Sequence, residues 1–173
     1  MAMGSCASRL ATADLRTSPF AVTHRIRLGT RPLNLAVTPT GRVYWGEYFS
    51  NHARGDIAIF GSLDFGETWD VFYIFPKNTI RHIHGIFYDR RRDSHWILTG
   101  DENEECKIMR ASCDLRDIDI VIASSQQARA VCVNMAQEGL YCASDAPNEA
   151  NYIYRLGMNE AVKRLAAING SSL

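Results

Sequence analysis

The sequence predicts an all-β chain that carries part of a β-propeller, about three four-stranded antiparallel blades. Three observations predict it. Short apolar or alternating runs rich in Val, Ile, Tyr, Phe and Trp follow one another, separated by Gly, Pro, Asn and Asp, which is the rhythm of strands and turns. A unit close to 50 residues long recurs, with starts at Arg31, Arg81 and Arg129, and a period of that length marks propellers and other repeat architectures. Finally, LNLAV, VFYIF and AVCVNM are largely apolar on both faces, as strands packed between neighbouring blades require and the half-solvated strands of a sandwich do not.

Taken in order, residues 1–24 form a polar N-terminal segment and residues 25–173 the partial propeller, opening with HRIRL as a lone outer strand. The first blade covers about 31–76, with LNLAV, RVYWGEY, DIAIF and WDVFYIF as its strands. The second covers 81–123, with IHGIFY, HWILTG, CKIMRA and IDIVIA, and the third 129–168, with AVCVNM, GLYCAS, NYIYRL and AVKRLAAI. In that last run Val162, Leu165 and Ala166 would also suit one arc of a helix; it is read as a strand. Each unit places an arginine before its first strand and an acid after its second. Arg31 to Glu47 and Arg129 to Asp145 are both 16 residues apart, and Arg81 to Asp101 is 20, the additional residues falling in the charged turn DRRRD. Insertions are tolerated in such turns.

Between the third and fourth strands of the first unit lies Ser62-Leu63-Asp64-Phe65-Gly66-Glu67-Thr68-Trp69. Its defined positions Ser62, Asp64, Gly66, Thr68 and Trp69 fit the Asp-box pattern S-x-D-x-G-x-T-W. The physical content is a turn: Asp64 accepts backbone N–H groups, Gly66 supplies positive φ, and Trp69 begins the next strand with a large apolar surface. Ser112-Cys113-Asp114 holds the same place in the second unit without the Gly and Trp, and Leu156-Gly157-Met158-Asn159 in the third has lost the box. At these residues the chain resembles the Asp-box (BNR) repeat proteins, of which sialidases are the best-known members. GEYFSN, RHIHGIFYD, TGDENEE, SSQQARAV and NYIYRL extend the resemblance, over roughly 25–170, to uncharacterised bacterial Asp-box propellers. The sialidase F/Y-R-I-P motif is absent, Arg31-Pro32 standing between Gly29-Thr30 and Leu33, so the sialidase catalytic residues are not transferable here. What the resemblance implies is a carbohydrate-related propeller with a structural box.

Antiparallel topology places the start of strand one and the end of strand two at one end of a blade, and the box at the other. Arg31, Arg81, Arg129, Glu47, Asp101 and Asp145 are therefore expected to rim one face as a ligand surface, guanidinium groups gripping a carboxylate or phosphate and carboxylates accepting sugar hydroxyls. Pairing of each arginine with its own blade's acid, as a structural ion pair, is the competing expectation. His82 and His84, two apart on a strand, point to the same face and join the candidate ligand residues; two imidazoles could share a metal or supply a base, but no third ligand is identifiable and no metal or cofactor is assigned. The run 101–105 and Arg90-Arg91-Arg92 read as solvated loops.

Composition narrows the function classes. With 46% hydrophobic and 22% charged residues the chain is an ordinary folded domain rather than a disordered one. Nineteen basic residues balance nineteen acidic ones, leaving no footprint for nucleic acid or an anionic membrane. No apolar stretch reaches a membrane span and the opening residues lack a signal-peptide core, so a cytoplasmic location is expected. Five cysteines without CxxC spacing are expected to be reduced thiols. The expected function is binding of an anionic or polyhydroxylated glycan at the Arg/acid rim. The alternatives are a glycoside hydrolase of the sialidase kind or a protein-interaction scaffold. Because propellers close with about 4–8 blades, the chain is also expected to be a truncated portion of a longer propeller or to self-associate through open blade surfaces.

Overall fold

The computed structural model describes residues 9–12, 21–157 and 161–170. It is all-β, with three four-stranded antiparallel sheets arranged as a partial propeller. Strands β1 (Arg9–Thr12) and β2 (Ala21–Arg25) pair as a small two-stranded sheet. The first blade contains β3 (Ala36–Val37), β4 (Val43–Gly46), β5 (Ile57–Ser62) and β6 (Asp70–Phe75). The second contains β7 (His82–Asp89), β8 (Ser94–Gly100), β9 (Lys107–Ser112) and β10 (Ile118–Ala123), and the third β11 (Val133–Ala136), β12 (Gly139–Ala143), β13 (Asn151–Gly157) and β14 (Val162–Ile168). Each blade pairs its strands in sequence order. Its side-chain period of two decides which neighbour each residue meets.

Strand β8 shows how. All seven of its residues are buried, because blades lie against both faces. Ile97 enters a cluster with Tyr44, Ile57, Ile59 and Ile83 between the first and second blades. Trp96 and Leu98, on the other face, join Val133, Leu140, Cys142 and Leu156 between the second and third. Gly46 belongs to the same logic: a Cβ there would lie 2.6 Å from Ile83 side-chain atoms, so a bare backbone is what lets β4 approach β7.

The two-faced apolar pattern is realised only where a blade has a neighbour on each side. Leu33, Leu35 and Val37 of the LNLAV run are 39%, 46% and 56% exposed, and only Ala36–Val37 is strand; among the described residues no other blade lies against this end of the first sheet. Part of that sheet is covered instead by β2. His24 packs against Trp45, Phe60 and Trp69 at centroid distances of 5.6, 5.1 and 5.4 Å, and the Trp69 indole N–H donates to Thr23 Oγ1 at 3.2 Å. Burial, and then the nearby Arg27 charge, push the His24 imidazole below its usual range. Of the expected lone outer strand HRIRL only His24 and Arg25 are strand, as the end of β2, which pairs with β1 in the segment read only as polar. RLAT has too little apolar alternation to announce itself and is a strand through its partner.

Outer strands are the solvent edges of the blades: Val71, Ile74, Ile120, Val162 and Leu165 are all more than two-fifths exposed. Lys163 and Arg164 on β14 blunt one such edge against further pairing, and Arg164 lies over the Tyr152 ring at 4.0 Å. Cys106 and Cys142 are buried, their thiols pushed up to about 12 by burial. Among the described residues no helix is long and apolar enough to cross a membrane.

The segment 62–69 forms the turn its residues dictate. Asp64 Oδ1 accepts from the Glu67 and Thr68 amides at 3.1 and 2.9 Å and from Ser62 Oγ at 2.7 Å, while Oδ2 accepts from Thr68 Oγ1 at 2.5 Å. Gly66, at φ 88°, donates its amide to Ser62 Oγ at 2.7 Å. Ser112 and Asp114 reproduce the first of these bonds at 2.8 Å in the second blade. These bonds hold the Asp64 carboxyl down from its ordinary 3.8 to about 2, Thr68 being the largest cause. The contribution is present above the unfolded value and is lost as pH falls from about 4 toward 2. Asp64→Ala should therefore lower Tm at neutral pH and flatten its fall across that acid range, as measured by thermal melts at several pH values.

Candidate functional site

At the end of the blades opposite the 62–69 turn, β7 begins, β8 ends and the chain crosses from one blade to the next. Arg81 immediately precedes β7, so its side chain and those of His82 and His84 emerge together. Asp101 immediately follows β8, brought alongside because β7 and β8 pair His82 with Gly100. Gly100 is required there by close approach: a Cβ would collide with the His84 ring.

Asp101 is the centre of the site. Its Oδ2 takes Arg81 Nη1 at 3.1 Å, and its Oδ1 takes Arg129 Nη2 at 3.1 Å. The Nε2 atoms of His82 and His84 lie 3.5 and 3.3 Å from the same Oδ1. Both rings are buried, and each is fixed through Nδ1: His82 donates to Phe49 O at 2.9 Å and His84 to Ala130 O at 3.0 Å. The Tyr48 ring packs on His82 at 4.4 Å. Gln126 Nε2 donates to Asp101 O at 2.8 Å, fixing the backbone beneath the carboxylate.

Three depressions meet around this cluster. One of about 370 Å³ has Thr30, Tyr48, Arg81, His82 and Asp101 among its lining residues. A second, about 430 Å³, shares Arg81 and Asp101 and adds Arg129 and Glu149. The third, about 530 Å³, is lined by Arg129, Asp145, Asn151 and neighbouring residues.

The structure brings Arg81, His82, His84, Asp101 and Arg129 into contact, with Asp145 on the same face; its amide donates to Arg129 O at 2.8 Å. Two of the six rim residues behave differently. Glu47 is 6% exposed and turns into its own sheet, accepting the Ala58 amide at 2.8 Å; burial pushes its carboxyl above the ordinary value. Arg31 is exposed and does not line these depressions. It stands five residues ahead of a two-residue strand, so the equal spacing to Glu47 does not translate into equal geometry. The pairing of each arginine with its own blade's acid holds for Arg81, whereas Arg129 reaches back to the acid of the preceding blade. Sequence reading could find no third group beside the two histidines; in space it is Asp101, seventeen residues from His84 and delivered by strand pairing. Tyr48 and Gln126 were also missed. Neither belongs to the recurring arginine–acid pattern, and only the crossing between blades brings them in. Of the remaining charged runs, Arg92 pairs with Asp89 at 2.6 Å and Glu105 pairs with Arg54, local contacts that anchor loops.

No family model matches the chain, and no curated protein matches it. Among solved structures it is similar to an oligogalacturonate lyase in complex with manganese, with a TM-score of 0.68 and 10% sequence identity over 96% of this chain and 50% of the lyase chain. The chain thus spans half the length of that structure. The likeness is one of fold, the β-propeller.

Proposed function

We propose that this propeller binds an acidic glycan at the face carrying Arg81, His82, His84, Asp101 and Arg129. One observation carries the reading: guanidinium groups from two successive blades converge on a single carboxylate at the mouth of open depressions. Each guanidinium is about one-fifth exposed, and the Arg129 Nε–H is buried without an acceptor. A sugar carboxylate entering the depressions would be met by planar forks with donors to spare, and its hydroxyls by Asp101 and Asp145. The fold neighbour is named for oligogalacturonate, a polyanionic sugar, which supports the same chemical class. The Asp-box turn at 62–69 supports reading the chain as an Asp-box propeller whose box is structural, since it lies at the far end from this face.

Binding is preferred to hydrolysis of the sialidase kind, which needs two suitably placed carboxyl groups or a tyrosine nucleophile: Asp101 is tied to two arginines and Glu47 points into its sheet. Calorimetric titration with a galacturonate oligomer, a sialylated trisaccharide and a neutral galactose oligomer tests it. The acidic sugars should bind and the neutral one should not. Arg129→Lys, which keeps the charge and loses the fork, should weaken binding about tenfold or more, on the order of 1.4 kcal/mol, without lowering Tm. Failure of both acidic sugars to bind, or an unchanged affinity in Arg129→Lys, would overturn the proposal.

A further inference from the structure

His82 Nδ1 and His84 Nδ1 each lie against a main-chain carbonyl oxygen. A carbonyl can only accept, so each Nδ1 carries its hydrogen, and a neutral imidazole then has its lone pair on Nε2. Both lone pairs face Asp101 Oδ1, itself an acceptor. The three ligand-type atoms lie within 4.8 Å of one another, with no donor among them. His82 is 4% exposed, and its Nε2 is buried without a hydrogen-bond partner. Buried polar atoms are rarely left in that condition. A single cation would serve all three atoms at once.

From this arrangement we infer that His82 Nε2, His84 Nε2 and Asp101 Oδ1 form a site for a first-row divalent transition ion. Spacing supports it: ligand atoms about 2.1 Å from a tetrahedral ion are about 3.4 Å apart, and the two Nε2–Oδ1 separations are 3.5 and 3.3 Å. The supporting contacts are those of a metal centre. Ligating imidazoles donate their other N–H to a backbone carbonyl, as both do here, and the carboxylate is oriented by Arg81 through Oδ2 and by Arg129, which shares Oδ1 with the proposed ion. Two nitrogens and one carboxylate oxygen suit Mn, Fe, Co or Zn rather than Mg or Ca. Three protein ligands leave coordination positions open, and the depression lined by Tyr48, Arg81 and His82 is where an exogenous oxygen ligand would enter. The site stands on its own geometry and does not depend on glycan binding.

The experiment is titration of chelator-treated protein with Mn²⁺ and with diamagnetic Zn²⁺ in sugar-free buffer, followed by calorimetry for both ions and, for Zn²⁺, by long-range ¹H–¹⁵N spectra of the histidine rings. One ion should bind per chain, Mg²⁺ should not compete, and the Nε2 signals of two histidines should shift while the Nδ1 signals keep their protons. His82→Gln combined with His84→Gln should weaken binding by about a hundredfold or more. Absence of saturable binding by both ions up to about 1 mM, or Zn²⁺ binding that moves no Nε2 signal in the unmodified protein, would overturn the inference even if the double variant failed to fold. Because no sugar is present, that outcome would leave the glycan reading to its own test.

Discussion

Replacing Ile97 by alanine should be among the most damaging single changes in the second blade, lowering unfolding stability by about 2–5 kcal/mol. Ile97 has no exposed surface and stands in β8, between β7 and β9, where the first and second blades meet. The lost methyl groups leave a cavity that cannot collapse, because the strands on both sides are fixed by their ladders. Val71→Ala supplies the contrast. Val71 is 50% exposed on a blade edge, and such surface changes stay within about 0.5 kcal/mol. Urea denaturation of the two variants should separate them clearly, with Ile97→Ala shifting the midpoint at an unchanged slope. Similar midpoints would mean that the two blades do not share the core described here.

That contrast also shows what could be read from the sequence. Strands and turns were legible because a strand's period is two and its breakers are chemically distinct, so β4 to β14 emerge from alternation and from Gly, Asn and Asp alone. The turn at 62–69 was legible because the bonds to Asp64 and Ser62 that shape it are made by residues within the same eight positions. What failed was whatever depended on a neighbour. Leu33 and Leu35 look like core residues in sequence, yet they are 39% and 46% exposed, with no neighbour among the described residues to cover them. Strand β1 looks like nothing in sequence, and only β2 makes it a strand.

The candidate site divides in the same way. Arg81, His82 and His84 lie within four residues of one another, and the start of β7 carries them to one place whatever else the chain does. Asp101 was legible as a rim residue, but its role as the shared partner of both histidines and of two blades' arginines was not, because that role is set by pairing of β7 with β8 and by the crossing into the third blade. Glu47 illustrates the converse. Its sequence position matches that of Asp101, yet the Ala58 amide offers its carboxylate a partner inside the sheet, and no histidine pair competes for it.

Asp101→Ala should have the second large effect, on stability and on binding together. It leaves Arg81, Arg129, His82 and His84 around an uncompensated gap. Removing one partner of a buried ion pair costs about 3–5 kcal/mol, and because about one-fifth of the Asp101 side chain is exposed solvent screening should reduce this to about 2–4 kcal/mol. Much of that loss should be relieved by removing the charges left behind. Arg129→Met alone should be destabilising, but in the Asp101→Ala background it should cost less or even stabilise, giving a coupling of about 0.5–3 kcal/mol in a double-mutant cycle. Additive effects would show that the two side chains act separately. Binding discriminates further, because Asp101→Asn preserves size and most packing while removing the carboxylate. If Asp101 serves only to hold the arginines, the Asn variant should still bind Mn²⁺ as the unmodified protein does. If it is also a ligand, affinity should fall by about a hundredfold or more, with the Zn²⁺-induced ¹⁵N shifts of His82 and His84 lost in parallel.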